Sequence, residues 1–357
     1  MKIGILTYHR TLNYGACLQA VATRLVLEQL GHEAYYVDYW PKYHQKQYGV
    51  FSWDKFWQGN YRFKLRYLIN TAQTFPFVRK RQRKFKEFQN KYIIPYCRSI
   101  NEQYDIVLYG SDQIWRKQPP KKKYNPIYFG DNTIHAMKHV AFSASMGILP
   151  ESFEDKAIIK QLVAHLDKVA VRENDLRELL MELGVEDVTQ TIDPTLLLEA
   201  SVWDASIPQP PYHGKGYLLV YALHPEVFDM NKVRSFAANK GLGIKILLGK
   251  ATCKDTDSVY SSSDPSEFLG LIKNAKYVLS SSFHGLAFSI IYHKEFFVSF
   301  ANNSNRALTL LQALGVPERM IPACSDIPSS FLPIDYAQVN ERLEGLKSLS
   351  LEYLQAL

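Results

Sequence analysis

A histidine follows three serines in the segment Ser280-Ser-Ser-Phe-His-Gly285, between a short apolar run and a longer one. The first run has the composition of a strand, and the second has the apolar spacing of a helix. A helix N-terminus has unpaired N–H groups and positive partial charge, so this turn suits a phosphate or a carboxylate. The pattern predicts an anion site at Ser281, Ser282 and Gly285, where His284 can exchange a proton near neutral pH. A capped helix with its histidine packed in the core is the alternative interpretation.

Polar clusters also follow two other predicted strands, at the edge where a parallel sheet presents its ligand-binding residues. The first cluster contains Arg10, a candidate for anion binding, ahead of a helix start. The second is Gly110-Ser-Asp-Gln-Ile-Trp115, whose carboxylate, amide and aromatic ring suit sugar hydroxyls and an apolar sugar face. Plain helix caps and a buried tryptophan would explain the same clusters. The residues expected to bind a sugar acceptor are Asn13, Tyr14, Ser111, Gln113 and Trp115.

Two further strand ends contain charged residues. Arg172 directly follows a predicted strand and precedes Glu173. It is interpreted either as an anion-binding residue or as half of a surface ion pair, which is the commoner case for an isolated arginine. Asp193-Pro-Thr195 ends a later strand and is interpreted as a structural turn.

Alternating strands and helices position these clusters. The chain opens with a strand at 3–7, an amphipathic helix at 16–30 and a strand at 34–37, which predicts a parallel sheet. A second alternating set begins with a strand at 217–222. The segment 208–216 between the two sets is rich in proline and glycine and is the best linker candidate.

The sequence therefore predicts an α/β fold of two doubly wound, Rossmann-like domains facing a central cleft. A length of 357 residues fits two domains. We expect an N-terminal α/β domain at 1–207 on the acceptor side and a C-terminal α/β domain at 208–334 on the donor or anion side. A helix at 335–357 is expected to pack back on the N-terminal domain. The ligand would lie in the cleft at the carboxyl ends of the strands.

The composition argues against several classes of protein. The four cysteines are widely spaced, which indicates neither a disulfide framework nor a zinc site, and no other metal-ligand cluster is evident. The apolar run at the amino terminus is too short for a signal peptide, and no window is long and apolar enough to span a bilayer. We therefore expect a cytoplasmic protein.

The net charge of +7 is concentrated in basic runs at 79–86 and 121–123. The first run lies in an insertion at 40–100 that is also rich in aromatic residues. Solvated helix faces would explain such runs, and no nucleic-acid-binding motif accompanies them, so nucleic acid is not an expected partner. Basic and aromatic side chains together suit a membrane surface with anionic or lipid-linked substrate. A peripheral contact at the inner face of the membrane is therefore a hypothesis.

Several segments occur together in the order and spacing of one known family. They are Asn13-Tyr-Gly-Ala, Tyr109-Gly-Ser-Asp-Gln-Ile-Trp, Val171-Arg-Glu, Asp193-Pro-Thr-Leu-Leu-Leu, and Pro265-Ser-Glu-Phe-Leu-Gly-Leu-Ile followed by Ser-Ser-Phe-His-Gly. This set resembles the polysaccharide pyruvyl transferase family over nearly the whole chain. The resemblance implies a GT-B-like fold and transfer of a group from phosphoenolpyruvate to a sugar, commonly as a ketal across two hydroxyls. It also implies that His284 is the active-site histidine and that Arg172 is the arginine of a V-R-[DE] segment.

One position departs from this family pattern, because Ser282 stands where some members have arginine. One anion contact must then come from Arg10, Arg306 or the helix N–H groups, or the donor differs from phosphoenolpyruvate. That donor is a trianion near neutrality, so its site needs cationic groups and oriented N–H donors. We expect His284 to act as the general acid or as the partner of the leaving phosphate, and Asp112 as the base for a sugar hydroxyl, with no cofactor or metal.

Two alternative functions are compatible with the same sequence. A nucleotide-sugar glycosyltransferase of the GT-B type would use the same two-domain cleft. A non-catalytic sugar- or lipid-binding protein in envelope assembly would use the basic and aromatic insertion as its interaction surface. For a pyruvyl transferase, the expected acceptor is a sugar of a cell-surface polysaccharide, such as an exopolysaccharide or capsule, or a precursor linked to polyprenyl diphosphate.

Overall fold

Two parallel sheets organise the chain in the computed structural model, which describes all residues except 48, 50, 52, 119–122, 254–257 and 302–304. The basic run predicted at 121–123 therefore lies mostly outside the described residues. The first sheet consists of β1 (Lys2–Leu6), β2 (Glu33–Val37), β3 (Cys97–Arg98), β4 (Tyr104–Tyr109), β5 (Ala136–Ala144), β6 (Lys168–Val171) and β7 (Thr189–Gln190). The second sheet consists of β8 (Tyr217–Ala222), β9 (Gly243–Leu248), β10 (Val259–Tyr260), β11 (Tyr277–Ser280) and β12 (Glu295–Val298).

Helices connect the strands and cover the sheets. Those before β8 are α1 (Tyr14–Gln29), α2 (Lys42–Gln47), α3 (Trp53–Gln58), α4 (Tyr61–Tyr92), α5 (Phe153–Val163), α6 (Asn174–Glu182) and α7 (Ala200–Ser206). Those after it are α8 (Met230–Asn239), α9 (Pro265–Lys273), α10 (Phe283–Ile291), α11 (Asn305–Leu314) and α12 (Tyr336–Gln355). Local capping defines several starts, as in α9, where Asp264 and Glu267 form a capping box. None of the helices formed by the described residues has the length and apolar character needed to cross a membrane.

The strand order reverses once in each sheet. The orders are β3-β2-β1-β4-β5-β6-β7 and β10-β9-β8-β11-β12, with parallel pairing between neighbours. The reversals lie between β1 and β4 in the first sheet and between β8 and β11 in the second. Open parallel sheets bind ligands at the carboxyl ends of the strands beside such a reversal. The α/β fold with two doubly wound parallel sheets that the sequence predicts is confirmed.

The strand β8, at the centre of the second sheet, is apolar along its whole length because helices cover both faces of the sheet. All six residues of β8 are buried, and its bounds are those predicted from the sequence. Such continuous apolar runs are typical of buried parallel strands. The core is also continuous between the sheets, where the ring of Tyr14 stacks on that of Phe268 at a centroid distance of 5.1 Å. The last helix, α12, lies against the first sheet, and its Tyr353 hydroxyl donates a hydrogen bond to the carbonyl of Ala141 at 2.9 Å.

The insertion predicted at 40–100 contains α2, α3 and the long helix α4. The interpretation of the basic run at 79–86 as a solvated helix face needs a correction, because Arg81 is only 4% exposed. Its guanidinium donates hydrogen bonds to the hydroxyl of Tyr14 at 2.6 Å and to the carbonyl of Ser261 at 3.0 Å. Arg81 therefore connects α1, which packs on the first sheet, to the segment after β10 of the second sheet.

Candidate active site

A cavity of about 380 Å³ opens at the carboxyl ends of the four strands beside the two reversals. The segments after β1 and β4 line one side, and the segments after β8 and β11 line the other. The structure therefore brings together turns that are far apart in the sequence. The predicted site residues that line the cavity are Asn13, Asp112, Gln113, Ser281, Ser282, His284 and Arg306.

The N-terminus of α10 borders the cavity. Ser282 occupies the N-cap position but makes no side-chain capping hydrogen bond, so the first N–H groups of the helix keep the capacity to bind an anion. Ser281 has a different role, because its hydroxyl oxygen accepts hydrogen bonds from the backbone N–H groups of Leu223 and His224 at 2.9 and 3.0 Å. Ser281 thus ties the end of β8 to the end of β11.

Two glycines allow close contacts beside the histidine. A Cβ atom on Gly285 would lie 2.0 Å from Ser280 Oγ, so glycine lets α10 start directly against β11. A Cβ atom on Gly15 would lie 2.0 Å from Nδ1 of His284, which means that the imidazole rests on the backbone of α1. This contact joins the two halves of the chain at the cavity.

His284 also faces a buried carboxylate. Its Nε2 lies 3.5 Å from Oδ2 of Asp193, within ion-pair distance but without the geometry of a hydrogen bond. The same carboxylate accepts a hydrogen bond from Arg172 and two from Thr195, one from the backbone N–H at 3.0 Å and one from the hydroxyl at 2.7 Å. Burial raises the pKa of the Asp193 carboxyl, but Arg172, His284 and the Thr195 hydrogen bonds outweigh burial and hold that pKa below its usual range.

Asp193 is therefore an ionised partner of the histidine. The sequence-based interpretation of this residue as a structural turn gave no indication of the contact with His284. A carboxylate beside one ring nitrogen fixes the orientation of an imidazole.

Arg306 supplies a positive charge beside the same turn. The pKa of this guanidinium is lowered to about 10, mainly by burial. The group therefore remains protonated at neutral pH. Its Nε lies 3.6 Å from Oε1 of Glu173, which accepts a hydrogen bond from the hydroxyl of Ser145 at 2.5 Å. The guanidinium carbon lies 5.6 Å from the ring centroid of Phe283. Arg10 and Arg306 were the two arginines expected to replace the anion contact of an arginine at position 282. Arg306 lies at the cavity, where it could make that contact.

Three of the expected acceptor residues lie in the core, which corrects their predicted role. The indole of Trp115 is fully buried and donates a hydrogen bond to the carbonyl of Tyr128 at 2.9 Å. The hydroxyl of Ser111 is also fully buried and donates to Oε1 of Gln19 at 3.1 Å. Tyr14 packs between the sheets and is bonded to α4, as described above. Their polar groups are used inside the protein, so they do not face the cavity.

Two of the expected anion-binding arginines also have other partners. Arg10 forms an ion pair with Asp38 at 2.7 Å and does not line the cavity. Arg172 is bonded to Asp193, and its guanidinium carbon lies 5.0 Å from the ring centroid of Phe283, outside the cavity lining. A direct contact of either arginine with a ligand in this cavity is therefore not supported.

Arg116 and His44 line the cavity but were not identified from the sequence. Arg116 directly follows the polar cluster after β4, and this adjacency is a signal that could have identified it. His44 lies on α2 in the insertion, where no sequence pattern indicates a site. The pKa of His44 is lowered to about 4, mainly by burial, so its ring is neutral at physiological pH.

Across the described part of the chain, no group of three or more histidine, cysteine, aspartate or glutamate residues could hold a metal ion.

Solved structures of several sugar-nucleotide enzymes are similar to this chain at low identity. The UDP-GlcNAc 2-epimerase of Neisseria meningitidis has 9% identity, covers 98% of this chain and 94% of its own, and has a TM-score of 0.47. The UDP-GlcNAc 2-epimerase of Methanocaldococcus jannaschii has 10% identity, with 97% and 92% coverage and a TM-score of 0.44. The E. coli heptosyltransferase WaaC has 11% identity, with 97% and 99% coverage and a TM-score of 0.39. These TM-scores are too low to support a conclusion about activity, and no curated protein matches the chain.

The sequence model of one protein family matches residues 13–304. The matched range includes the start of α1, the cluster after β4 and the histidine turn at the start of α10, which are the segments that converge on the cavity. The match extends over more than half of the 357 residues. The chain belongs to the polysaccharide pyruvyl transferase family.

Proposed function

We propose that this protein transfers a pyruvyl group from phosphoenolpyruvate to a sugar of a cell-surface polysaccharide or its lipid-linked precursor, forming a ketal. The main support is the position of His284 at an uncapped helix N-terminus, between an ionised Asp193 and a cavity that also contains Arg306. An acid, an anion-binding helix end and a guanidinium in one cavity are the groups that this reaction requires.

The donor phosphate and carboxylate would bind at the N-terminus of α10. Arg306 and Arg116 both line the cavity and supply positive charge, and the free N–H groups of the helix supply oriented donors. Some family members have an arginine at the position of Ser282. In this proposal Arg306 supplies the positive charge of that arginine. Arg172 acts indirectly, because its bond to Asp193 keeps that carboxylate ionised beside His284.

The proposed reaction uses two hydroxyls of one sugar. His284 donates a proton to the methylene carbon of phosphoenolpyruvate, and a hydroxyl deprotonated by Asp112 forms a bond to the carbon that bears phosphate. The carbon–oxygen bond to phosphate then breaks, and phosphate leaves with the electron pair. The second hydroxyl adds to the same carbon and closes the ketal. One of the two hydroxyl protons restores His284, and the other leaves with phosphate.

Incubation with phosphoenolpyruvate and a panel of galactosides and mannosides tests this proposal. The expected result is stoichiometric release of phosphate together with an acid-labile pyruvate ketal on the sugar, detected by mass spectrometry and by the methyl signal in proton NMR. Absence of both products across the panel would contradict the assignment.

Thermal stabilisation by ligands separates this reaction from nucleotide-sugar glycosyl transfer. Phosphoenolpyruvate is expected to raise the Tm, because a ligand that binds only the folded state stabilises it. Stabilisation by a nucleoside diphosphate, with none by phosphoenolpyruvate, would favour the glycosyltransferase instead.

The variant Arg306→Gln tests donor binding. Removing a guanidinium that bonds an anionic group costs about 1.5–3 kcal/mol, so we expect the KM for phosphoenolpyruvate to rise roughly 10- to 100-fold. The matched control is Arg10→Gln, because Arg10 was an equal candidate from the sequence but pairs with Asp38 outside the cavity. The control should leave this KM unchanged, and the opposite ranking of the two variants would show that Arg10 is the donor contact.

A further inference from the structure

An exposed apolar surface lies on α3 and the first half of α4, far from the buried part of that helix. We call it the α3–α4 surface and define it by Trp53, Trp57, Tyr61, Leu65, Leu68, Ile69 and Phe75. Each of these residues is at least 46% exposed, and Tyr61 is 80% exposed. Single exposed apolar residues are ordinary on a protein surface, but a continuous group of them marks an interaction site.

The apolar residues of α4 form a stripe. Tyr61, Leu65, Leu68 and Phe75 follow one another at intervals of four, three and seven residues, so they lie on one face of the helix. A stripe of this kind usually faces the core of a globular protein. Here the stripe faces outward, which means that this face lacks the cover that the rest of the fold provides.

Basic side chains flank the stripe. At 100° per residue, Arg62 and Arg66 lie on one side of it and Lys64 on the other, where the Lys64 Nζ is 4.9 Å from a ring of Trp57. The sequence has ten lysines and arginines and no aspartate or glutamate from 55 to 86. An apolar stripe with basic flanks and tryptophans is typical of helices that lie in the surface of an anionic bilayer. The same excess of positive charge opposes pairing of this surface with a second copy of itself.

The other end of α4 is fixed to the body of the protein near the cavity. Arg81 donates a hydrogen bond to the carbonyl of Ser261 at 3.0 Å, and Lys84 forms an ion pair with Glu267. At 1.5 Å per residue, Leu65 lies roughly 24 Å along the helix from Arg81. One continuous helix therefore connects the α3–α4 surface to the region where the two sheets meet.

We propose that the α3–α4 surface docks on an anionic phospholipid bilayer, with the apolar stripe at head-group depth and the flanking basic residues on lipid phosphates. This inference goes beyond the proposed transfer reaction and does not depend on it. A bilayer would cover the aliphatic side chains of Leu65 and Leu68 as well as bind the positive charges. A nucleic acid would bind the charges but leave the aliphatic side chains in water.

Co-sedimentation of the full chain with vesicles of phosphatidylcholine, with and without phosphatidylglycerol, tests the proposal. We expect binding to the anionic vesicles that is roughly tenfold or more tighter than binding to the neutral ones and that weakens as salt is added. Equal binding to both kinds of vesicle, binding to neither, or binding to RNA alone would overturn it.

The double variant Leu65→Glu, Leu68→Glu tests which surface binds. It should lose vesicle binding while its Tm and circular dichroism stay like those of the wild type, because both side chains are exposed. The matched control is Phe153→Glu, Leu332→Glu, which alters two apolar side chains that are 88% and 86% exposed on other parts of the surface. The control should bind as the wild type does.

Charge reversal tests the electrostatic part separately. Arg62→Glu with Arg66→Glu should weaken binding to anionic vesicles and leave the weaker binding to neutral vesicles unchanged. Wild-type vesicle binding by the apolar double variant would overturn the proposal. A second result would also overturn it: the wild type self-associates in solution and does not bind vesicles, and the Leu65→Glu, Leu68→Glu variant no longer self-associates. The α3–α4 surface would then be an interface between copies of the chain.

Discussion

Replacing His284 with alanine is expected to lower kcat by roughly 10²- to 10⁴-fold, the usual contribution of a general acid. The imidazole is the proton donor of the proposed reaction, and the buried, ionised carboxylate of Asp193 lies 3.5 Å from its Nε2. Phosphate release and ketal formation under saturating phosphoenolpyruvate measure the effect. Donor binding, measured by the shift in Tm on adding phosphoenolpyruvate, should persist because Arg306 and Arg116 are unchanged.

The matched control for this variant is His224→Ala. His224 lines the same cavity but is exposed and pairs with Glu226 at 3.0 Å, so its loss should leave most of the activity. Circular dichroism should show the native fold in both variants. A His284→Ala protein that keeps more than about a tenth of the wild-type kcat would assign the acid to another residue, because a tenfold effect is below the range of general acid catalysis.

Replacing Gly15 with alanine is expected to lower both activity and stability. In an isolated helix alanine is favoured over glycine by about 1 kcal/mol, so helix propensity alone predicts a more stable protein. In this structure the new methyl group would lie 2.0 Å from Nδ1 of His284, far inside van der Waals contact. The imidazole must move or the two halves of the chain must separate. A displacement of about 1 Å in a catalytic group can cost roughly 10²-fold in rate, so kcat should fall by at least that order.

Gly345→Ala is the matched control, because this glycine also lies in a helix, α12, and a Cβ atom there would meet nothing within 4 Å. Here helix propensity is unopposed, so we expect unchanged activity and a Tm equal to or slightly above that of the wild type. In thermal unfolding, Gly15→Ala should therefore lower the Tm, whereas Gly345→Ala should not lower it. A stabilised, fully active Gly15→Ala protein would show that His284 does not rest on α1 in solution.

Both predictions depend on the same property of the fold, which is that the histidine and the surfaces that fix it come from different parts of the chain. His284 belongs to the first turn of α10, Gly15 to the first helix, and Asp193 to the segment after the last strand of the first sheet. The catalytic arrangement therefore forms only when the two sheets are in contact. Arg81 and the stacked pair of Tyr14 and Phe268 maintain that contact behind the cavity.

The alternation of strands and helices could be predicted from the sequence because it depends on local periodicity. The strand β8 and the helix α11 have the bounds that apolar spacing indicates, and the polar clusters do follow strands. The long helix α4 was less evident, because it is polar along much of its length and its buried residue Arg81 has the same type as its exposed neighbours. Apolar periodicity indicates which face of a helix is buried. It does not indicate which of several arginines on a polar helix becomes buried against another part of the chain.

By itself, the sequence determined the two-sheet α/β class, the turn that places His284 at a helix N-terminus, and the family to which the chain is similar. Only the tertiary structure decided which charged groups face the cavity. Arg10, Arg172 and Arg306 were all anion-binding candidates in the sequence and each has a carboxylate partner, yet of these three only Arg306 also lines the cavity. The physical reason is that local spacing fixes secondary structure, whereas the partner of a charged or aromatic side chain depends on which distant segments the strand order brings against it.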